Sequence, residues 1–160
     1  KKAVLLGAGG ASKGIALALA AEGMHVHILN RTPEKATALV ALINSWGGRA
    51  TSGEFAPGKW MAEVDLLVQT TSVGLHGEPF SFLMQGISDR ALVVDIIFNP
   101  SETMFLQDAK KQGCRTLNGL GMLLYQGAYA WEFWLGGQAP VEAMQRGLKE
   151  QLLKQMFYKA

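Results

Sequence analysis

Six residues near the start, Gly7-Ala8-Gly9-Gly10-Ala11-Ser12, constrain the fold more than any other part of the chain. They follow an apolar run, Ala3–Leu6, of the sort found in parallel sheets buried on both faces. Beyond them, residues 11–21 are rich in Ala and Leu, which favours helix, and Gly23 closes that helix. A strand that passes through glycines straight into a helix reads as the first unit of a parallel sheet. Gly7 allows the tight turn, Gly9 lets the backbone approach a pyrophosphate, and Gly10 adds exposed amide surface. Ser12 stands in place of a third glycine and is small enough for helix to pack on strand. The helix N-terminus offers free N–H groups and partial positive charge to phosphates. A tight turn with no ligand is the alternative reading of this motif.

Strands and helices continue to alternate. His25–Leu29 reads as a second strand. Thr32 can cap the next helix and Pro33 suits its first position; this helix runs to about Trp46 and stops at Gly47-Gly48. Arg49–Glu54 is a short third strand, Asp65–Thr70 a fourth and Ala91–Ile97 a fifth. Pro100-Ser101-Glu102-Thr103 opens a helix that ends near Gly113. Arg115–Leu117 is a sixth strand, Leu120–Leu135 a long apolar helix and Pro140–Tyr158 a last amphipathic helix. No element is assigned to Val73–Arg90. The expected fold is α/β: a doubly wound, mostly parallel six-stranded sheet of order 3-2-1-4-5-6 with helices on both faces, in one domain over residues 1–160.

Composition excludes several classes. With 160 residues and 49% of them hydrophobic, the chain is neither a disordered tail nor too short for a core. No apolar run approaches the ~18 residues that span a bilayer. The net charge of +2 is too small for a nucleic-acid footprint. Neither a membrane nor a nucleic acid is therefore an expected partner. The single cysteine, Cys114, excludes an internal disulfide and a Cys-based metal site. It suits a reducing cytoplasm, where the chain is expected to reside. Lys1-Lys2 runs at once into a buried-strand pattern, which suggests a domain taken from a longer protein.

The end of the second strand bears on the choice of cofactor. NAD-binding domains usually place Asp or Glu there, to hold the ribose hydroxyls. This chain reads Asn30-Arg31-Thr32, with no carboxylate to repel a 2′-phosphate. Arg31 can hold that phosphate through forked, charge-assisted bonds, Thr32 adds a hydroxyl, and Lys35 lies about one helical turn on. NADP is expected over NAD. A solvated surface charge is the alternative for Arg31.

Three later segments join this pattern: Thr70-Thr71-Ser72-Val73-Gly74 after the fourth strand, Asp95-Ile96-Ile97-Phe98-Asn99-Pro100 after the fifth, and Asn118-Gly119-Leu120-Gly121-Met122-Leu123 with Gln126 on the long helix. Together with the glycine turn and Asn30-Arg31-Thr32, they resemble the C-terminal NADP-binding domain of the shikimate dehydrogenase family from Val4 to about Gly136. The resemblance implies reversible NADP-linked reduction of 3-dehydroshikimate to shikimate. It implies that Thr71, Ser72 and Gly74 lie along the cofactor, that Ile97, Gly119 and Met122 contact its nicotinamide side, and that Gln126 hydrogen-bonds the substrate. Phe98 stands where the family usually has a substrate-holding tyrosine; it keeps the ring and loses the hydroxyl. The family's catalytic Lys–Asp pair belongs to an N-terminal substrate domain absent from this chain. Lys13 and Lys59 do not stand at matching positions, so no catalytic residue is assigned here. A related cyclohexane acid such as quinate as substrate, or a non-catalytic module that senses NADP(H) or a metabolite, are the alternatives.

Other residues read as structural. His25 and His27 share one face of a strand but lack a third ligand, so no metal is expected. His76 reads as a loop residue and Cys114 as a core or strand-edge thiol. Trp131, Phe133 and Trp134 suggest packing in a core or a domain interface.

Overall fold

The computed structural model describes residues 1–80, 82 and 84–157. Tyr158, the last residue of the expected final helix, lies outside them. Two compact units divide the chain, Lys1–Asn118 and Gly119–Ala160.

The first unit contains β1 (Lys2–Leu6), α1 (Gly10–Ala21), β2 (His25–Leu29), α2 (Pro33–Ser45), β3 (Arg49–Gly53), a 3-10 turn (Lys59–Glu63), β4 (Leu66–Gln69), β5 (Leu92–Asp95), α3 (Met104–Lys111) and β6 (Arg115–Leu117). All six strands are parallel, in the order β3-β2-β1-β4-β5-β6. This is the expected doubly wound, Rossmann-type arrangement.

Alternation along β1 builds the core on both sides of the sheet. Ala3 and Leu5 join Val26 and Ile28 of β2, Ala16 of α1, and Leu39 and Ile43 of α2 on one face. Val4 and Leu6 join Leu29, Leu67 and Val93 on the other, beneath Phe105 and Leu106 of α3 and Met61 of the 3-10 turn. Each buried Leu, Val or Ile contributes about 1.5–3 kcal/mol. Two apolar layers on one central strand therefore fix its register.

Several boundaries shift inward for identifiable reasons. β5 stops at Asp95, two residues before the expected end, because the Asp95 carboxylate accepts the Ile97 N–H at 3.0 Å and turns the chain. α3 begins at Met104 rather than Pro100. Its N-cap is Thr103, whose hydroxyl accepts the Leu106 N–H and donates to Asp95. Thr32 does occupy the N-cap of α2, but its side chain makes no capping hydrogen bond.

In the second unit, α4 (Leu120–Leu135) and α5 (Val141–Phe157) pack together. They meet closely at Gly127, where an added Cβ would lie 3.2 Å from Met144 Cε. Leu124 and Ala128 are buried, whereas Trp131, Phe133 and Trp134 are exposed and belong to no core. Of the two expectations for these three aromatics, a core or a domain interface, the core is corrected: they sit at the far end of α4, past its buried Leu124–Ala128 stripe. Among the described residues no helix is long and apolar enough to cross a membrane.

Cys114 is buried, and its thiol donates to the Ser88 carbonyl. Burial, with Asp89 nearby, raises its pKa. His25 and His27 do share a face of β2, where His25 Nε2 and His27 Nδ1 each meet the Thr51 hydroxyl, at 3.2 and 2.9 Å. Burial, and then the neighbouring His25, hold the His27 imidazole below its usual range. A histidine kept neutral in the folded state favours folding above its ordinary pKa, and that contribution is lost as pH falls through the lowered folded-state value. The thermal midpoint is expected to drop as pH goes from about 7 to about 5. His27→Gln is expected to remove part of that drop; an identical acid slope in the variant would clear His27 of the effect.

Candidate functional site

The site is built at the C-terminal edge of the sheet, where β1 and β4 end side by side. The Thr70 backbone N–H and hydroxyl both donate to the Leu6 carbonyl, at 2.9 and 2.8 Å. The next residue, Gly7, has φ +118° and donates its N–H to Leu29 on β2. A Cβ at Gly7 would lie 2.5 Å from Thr70 Oγ1, so both conformation and space require glycine. Ser12 is fully buried and donates its hydroxyl to the Gly7 carbonyl at 2.7 Å. It ties α1 to the turn by a hydrogen bond, beyond the small size expected of it.

Gly9 and Gly10 differ from Gly7. Nothing lies within 4 Å of a Cβ added at either, and both are exposed. Gly9 caps α1 without a side-chain bond, and the first turn of α1 carries no acidic residue. The N–H groups and positive dipole end of α1 therefore face an open space suited to an anion.

A cleft of about 370 Å³ opens above this edge. Gly7, Ala8, Gly9, Asn30, Arg31, Thr32, Lys35, Thr71 and Ser72 line it, and all nine are residues singled out from sequence. The structure therefore gathers the glycine turn, the end of β2 and the loop after β4 around one space. Asn30 donates to the Thr32 carbonyl at 2.8 Å, which shapes the Asn30-Arg31-Thr32 corner. Among the described residues no carboxylate lines the cleft. Gly10 lines an adjoining groove, and Ala11 and Ser12 line neither.

Gly74, Ile97 and Phe98, of the same unit, are not among the residues that line the cleft. Gly74 (φ +97°) sits against Ile97 and Thr103; a Cβ there would be 3.7 Å from Ile97 Cδ1. Ile97 is buried and Phe98 half-buried. Gly119, Met122 and Gln126 belong to the second unit. Gly119 is the N-cap of α4, and Met122 and Gln126, one turn apart, are exposed. His76 is an exposed loop residue, as its sequence context suggested.

Four contributors had no role assigned from sequence, although Thr70 and Asp95 stand in the segments quoted above. Phe55 and Thr70 line the cleft. Phe55 follows the C-terminal end of β3, and that edge position was the available signal. It meets Phe80 and Phe82 edge-on, with centroids 6.2 and 5.8 Å away. Gln69 and Asp95 act from below. The buried Gln69 amide accepts the Thr71 N–H and donates to the Val73 carbonyl, holding the loop after β4. Asp95 does the same for the loop after β5. A lone polar residue closing an apolar strand was the mark of both.

Six parallel strands in this order, with a glycine turn at the first strand–helix junction and a cleft over it, define the Rossmann-type class. The first 98 residues match the family model described as shikimate / quinate 5-dehydrogenase. Residues 119–148 match that described as shikimate 5′-dehydrogenase C-terminal domain. The chain belongs to the shikimate/quinate dehydrogenase family. It is 53% identical over 152 residues to shikimate dehydrogenase (NADP(+)) of Desulfitobacterium hafniense, a match covering 95% of this chain and 56% of that protein. Among solved structures it resembles 5-ketofructose reductase of Gluconobacter sp. strain CHM43 (39% identity, TM-score 0.79, 94% of this chain and 56% of that one). It also resembles Thermus thermophilus shikimate 5-dehydrogenase in complex with NADP(H) and shikimate (34% identity, TM-score 0.79, 92% and 54%). The chain thus spans little more than half the length of these relatives.

Burial pushes the Asp95 carboxyl above its ordinary value, against the Ile97 and Thr103 hydrogen bonds that pull it down. A raised carboxyl pKa contributes stability that is full below the ordinary value and lost as pH rises through the folded-state value. Asp95→Asn is therefore expected to gain on the wild type between about pH 4 and about pH 7 in urea unfolding. Asp95→Ala, which leaves the Ile97 N–H and the Thr103 hydroxyl without their partner, is expected to lose about 2–4 kcal/mol at both. Equal pH dependence of wild type and Asp95→Asn would count against this account.

Proposed function

We propose that residues 1–160 are the NADP-binding domain of a cytoplasmic shikimate dehydrogenase, which reversibly reduces 3-dehydroshikimate to shikimate. One observation carries the reading: a single cleft joins an open glycine turn at a helix N-terminus to Arg31, Thr32 and Lys35, with no carboxylate among its lining residues. The donor set fits NADP. Gly7, Ala8, Gly9, Gly10, Ala11 and Ser12 form the turn that receives the pyrophosphate, with N–H groups from the open side of Gly9 and Gly10. Asn30, Arg31, Thr32 and Lys35 hold the adenosine end and its 2′-phosphate. Thr71, Ser72 and Gly74 lie along the cofactor. Ile97, Gly119 and Met122 serve the nicotinamide side, and Gln126 and Phe98 the substrate. The name of the Desulfitobacterium relative and the NADP(H) and shikimate in the Thermus complex support this assignment.

When bound, NADPH supplies the hydride that turns the substrate carbonyl into an alcohol. The chain's own residues bind and orient; none is assigned to proton transfer, which general acid–base catalysis requires within hydrogen-bond reach of the reacting oxygen. That group is sought in the substrate domain of the same enzyme, outside these 160 residues.

A titration of the chain with NADPH and NADH, read by tryptophan fluorescence or calorimetry, tests the cofactor. NADPH is expected to bind tighter. Arg31→Ala is expected to weaken NADPH by about 10- to 100-fold while leaving NADH nearly unchanged, since charged hydrogen bonds contribute about 1.5–3 kcal/mol. Equal or tighter NADH binding by the wild type overturns the reading.

A second reading, NADP-linked oxidoreduction of a related cyclohexane acid such as quinate, whose ring alcohol is oxidised to the ketone as NADP takes the hydride, is favoured by Phe98, which brings a ring without a hydroxyl. In the full-length enzyme, Phe98→Tyr is expected to tighten shikimate by about 5- to 10-fold in KM, the worth of one hydrogen bond. An unchanged or higher KM would favour the second reading.

A further inference from the structure

We propose that Lys13, on the first turn of α1, is a specificity residue for the 2′-phosphate of NADP(H), acting with Lys35 from the neighbouring helix; this rests on the cofactor reading above. A groove of about 430 Å³ adjoins the cleft. Its lining includes Gly9, Gly10, Lys13 and Lys35, over an apolar stretch of α2 that includes Leu39. Ala8, Gly9 and Lys35 line both spaces, so groove and cleft adjoin along these three residues. Among the described residues neither is lined by a carboxylate. Among the described residues, the ion pairs are Lys2–Glu63, Lys110–Glu102 and Lys111–Asp108; Lys13, Arg31 and Lys35 take part in none.

The placement of the two lysines is electrostatically adverse without a ligand. Both stand in the first turn of a helix, where the macrodipole is positive and a cation is disfavoured. The first turn of α1 has no acidic residue, and that of α2 has only Glu34. A phosphate between the helix starts relieves both charges. Arg31 grips such a dianion by its fork, and a lysine on a flexible stem adds a point charge from the side. The pyrophosphate has the glycine-turn N–H groups for partners, whereas the 2′-phosphate depends on side chains. Lys13 therefore discriminates between the two nicotinamide cofactors rather than binding both.

The test is the dissociation constant of NADPH and of NADH for the full chain, its Lys13→Gln and its Lys13→Arg variants. Lys13→Gln is expected to weaken NADPH on the order of five- to tenfold and to leave NADH within about twofold, with Lys13→Arg close to wild type. Glutamine is a good helix former at this exposed position, so the fold is retained. Equal loss for both cofactors would show Lys13 serving the pyrophosphate or the turn and would overturn the assignment. No loss for either would show a solvated surface charge and would also overturn it. A wild type without NADPH preference overturns the cofactor reading and this assignment with it. Wild-type preference kept intact in Lys13→Gln overturns this assignment alone.

Discussion

The Leu6 carbonyl accepts two hydrogen bonds from Thr70, and everything above the sheet rests on that junction. It pins the ends of the two central strands together and brings the Thr70 hydroxyl to where a side chain on residue 7 would be. Gly7 can then turn away from the sheet in a conformation closed to other residues. α1 starts where it does because the turn is short, and the buried Ser12 hydroxyl fastens that start to the Gly7 carbonyl. The open glycines, the corner after β2 and the loop after β4 face one another as a consequence.

Polar atoms in the deepest positions shape the loops rather than react. Gln69 and Asp95 are each the last residue of a strand and are fully buried. Each commits its side chain to backbone or cap groups two to eight residues further on. A buried polar group costs stability unless satisfied, and these are satisfied. Such anchors hold a loop in one conformation, which a binding surface requires if little affinity is to be spent on ordering it.

The sheet was legible in the sequence because continuous apolar runs and glycine stops carry it. Every strand and helix expected from the pattern exists, and the strand order follows. The lining of the cleft was legible to a similar extent, since the glycine turn and Asn30-Arg31-Thr32 each carry their chemistry in adjacent residues. What the pattern did not reveal depends on partners distant in sequence. Thr70 reaches Leu6 across sixty-four positions, and Thr103 finds Asp95 on another element. Phe55 enters the cleft through its contacts with Phe80 and Phe82. The aromatics of α4 show the opposite failure: bulk and apolarity suggested packing, but Phe133 and Trp134 lie off the face of Leu124 and Ala128, and Trp131, in phase with that face, is exposed beyond its buried stretch.

Thr32 holds the N-cap of α2 and does not cap it. Aspartate at that position would satisfy the free N–H groups of the helix and complement its dipole, a gain of about 1 kcal/mol. It would also bring a negative charge into a cleft that has none. Folding stability and anion affinity thus pull residue 32 in opposite directions. A directed-evolution screen that rewarded heat resistance alone would enrich Thr32→Asp and drive the cleft away from phosphate, even though no glycine of the turn had changed.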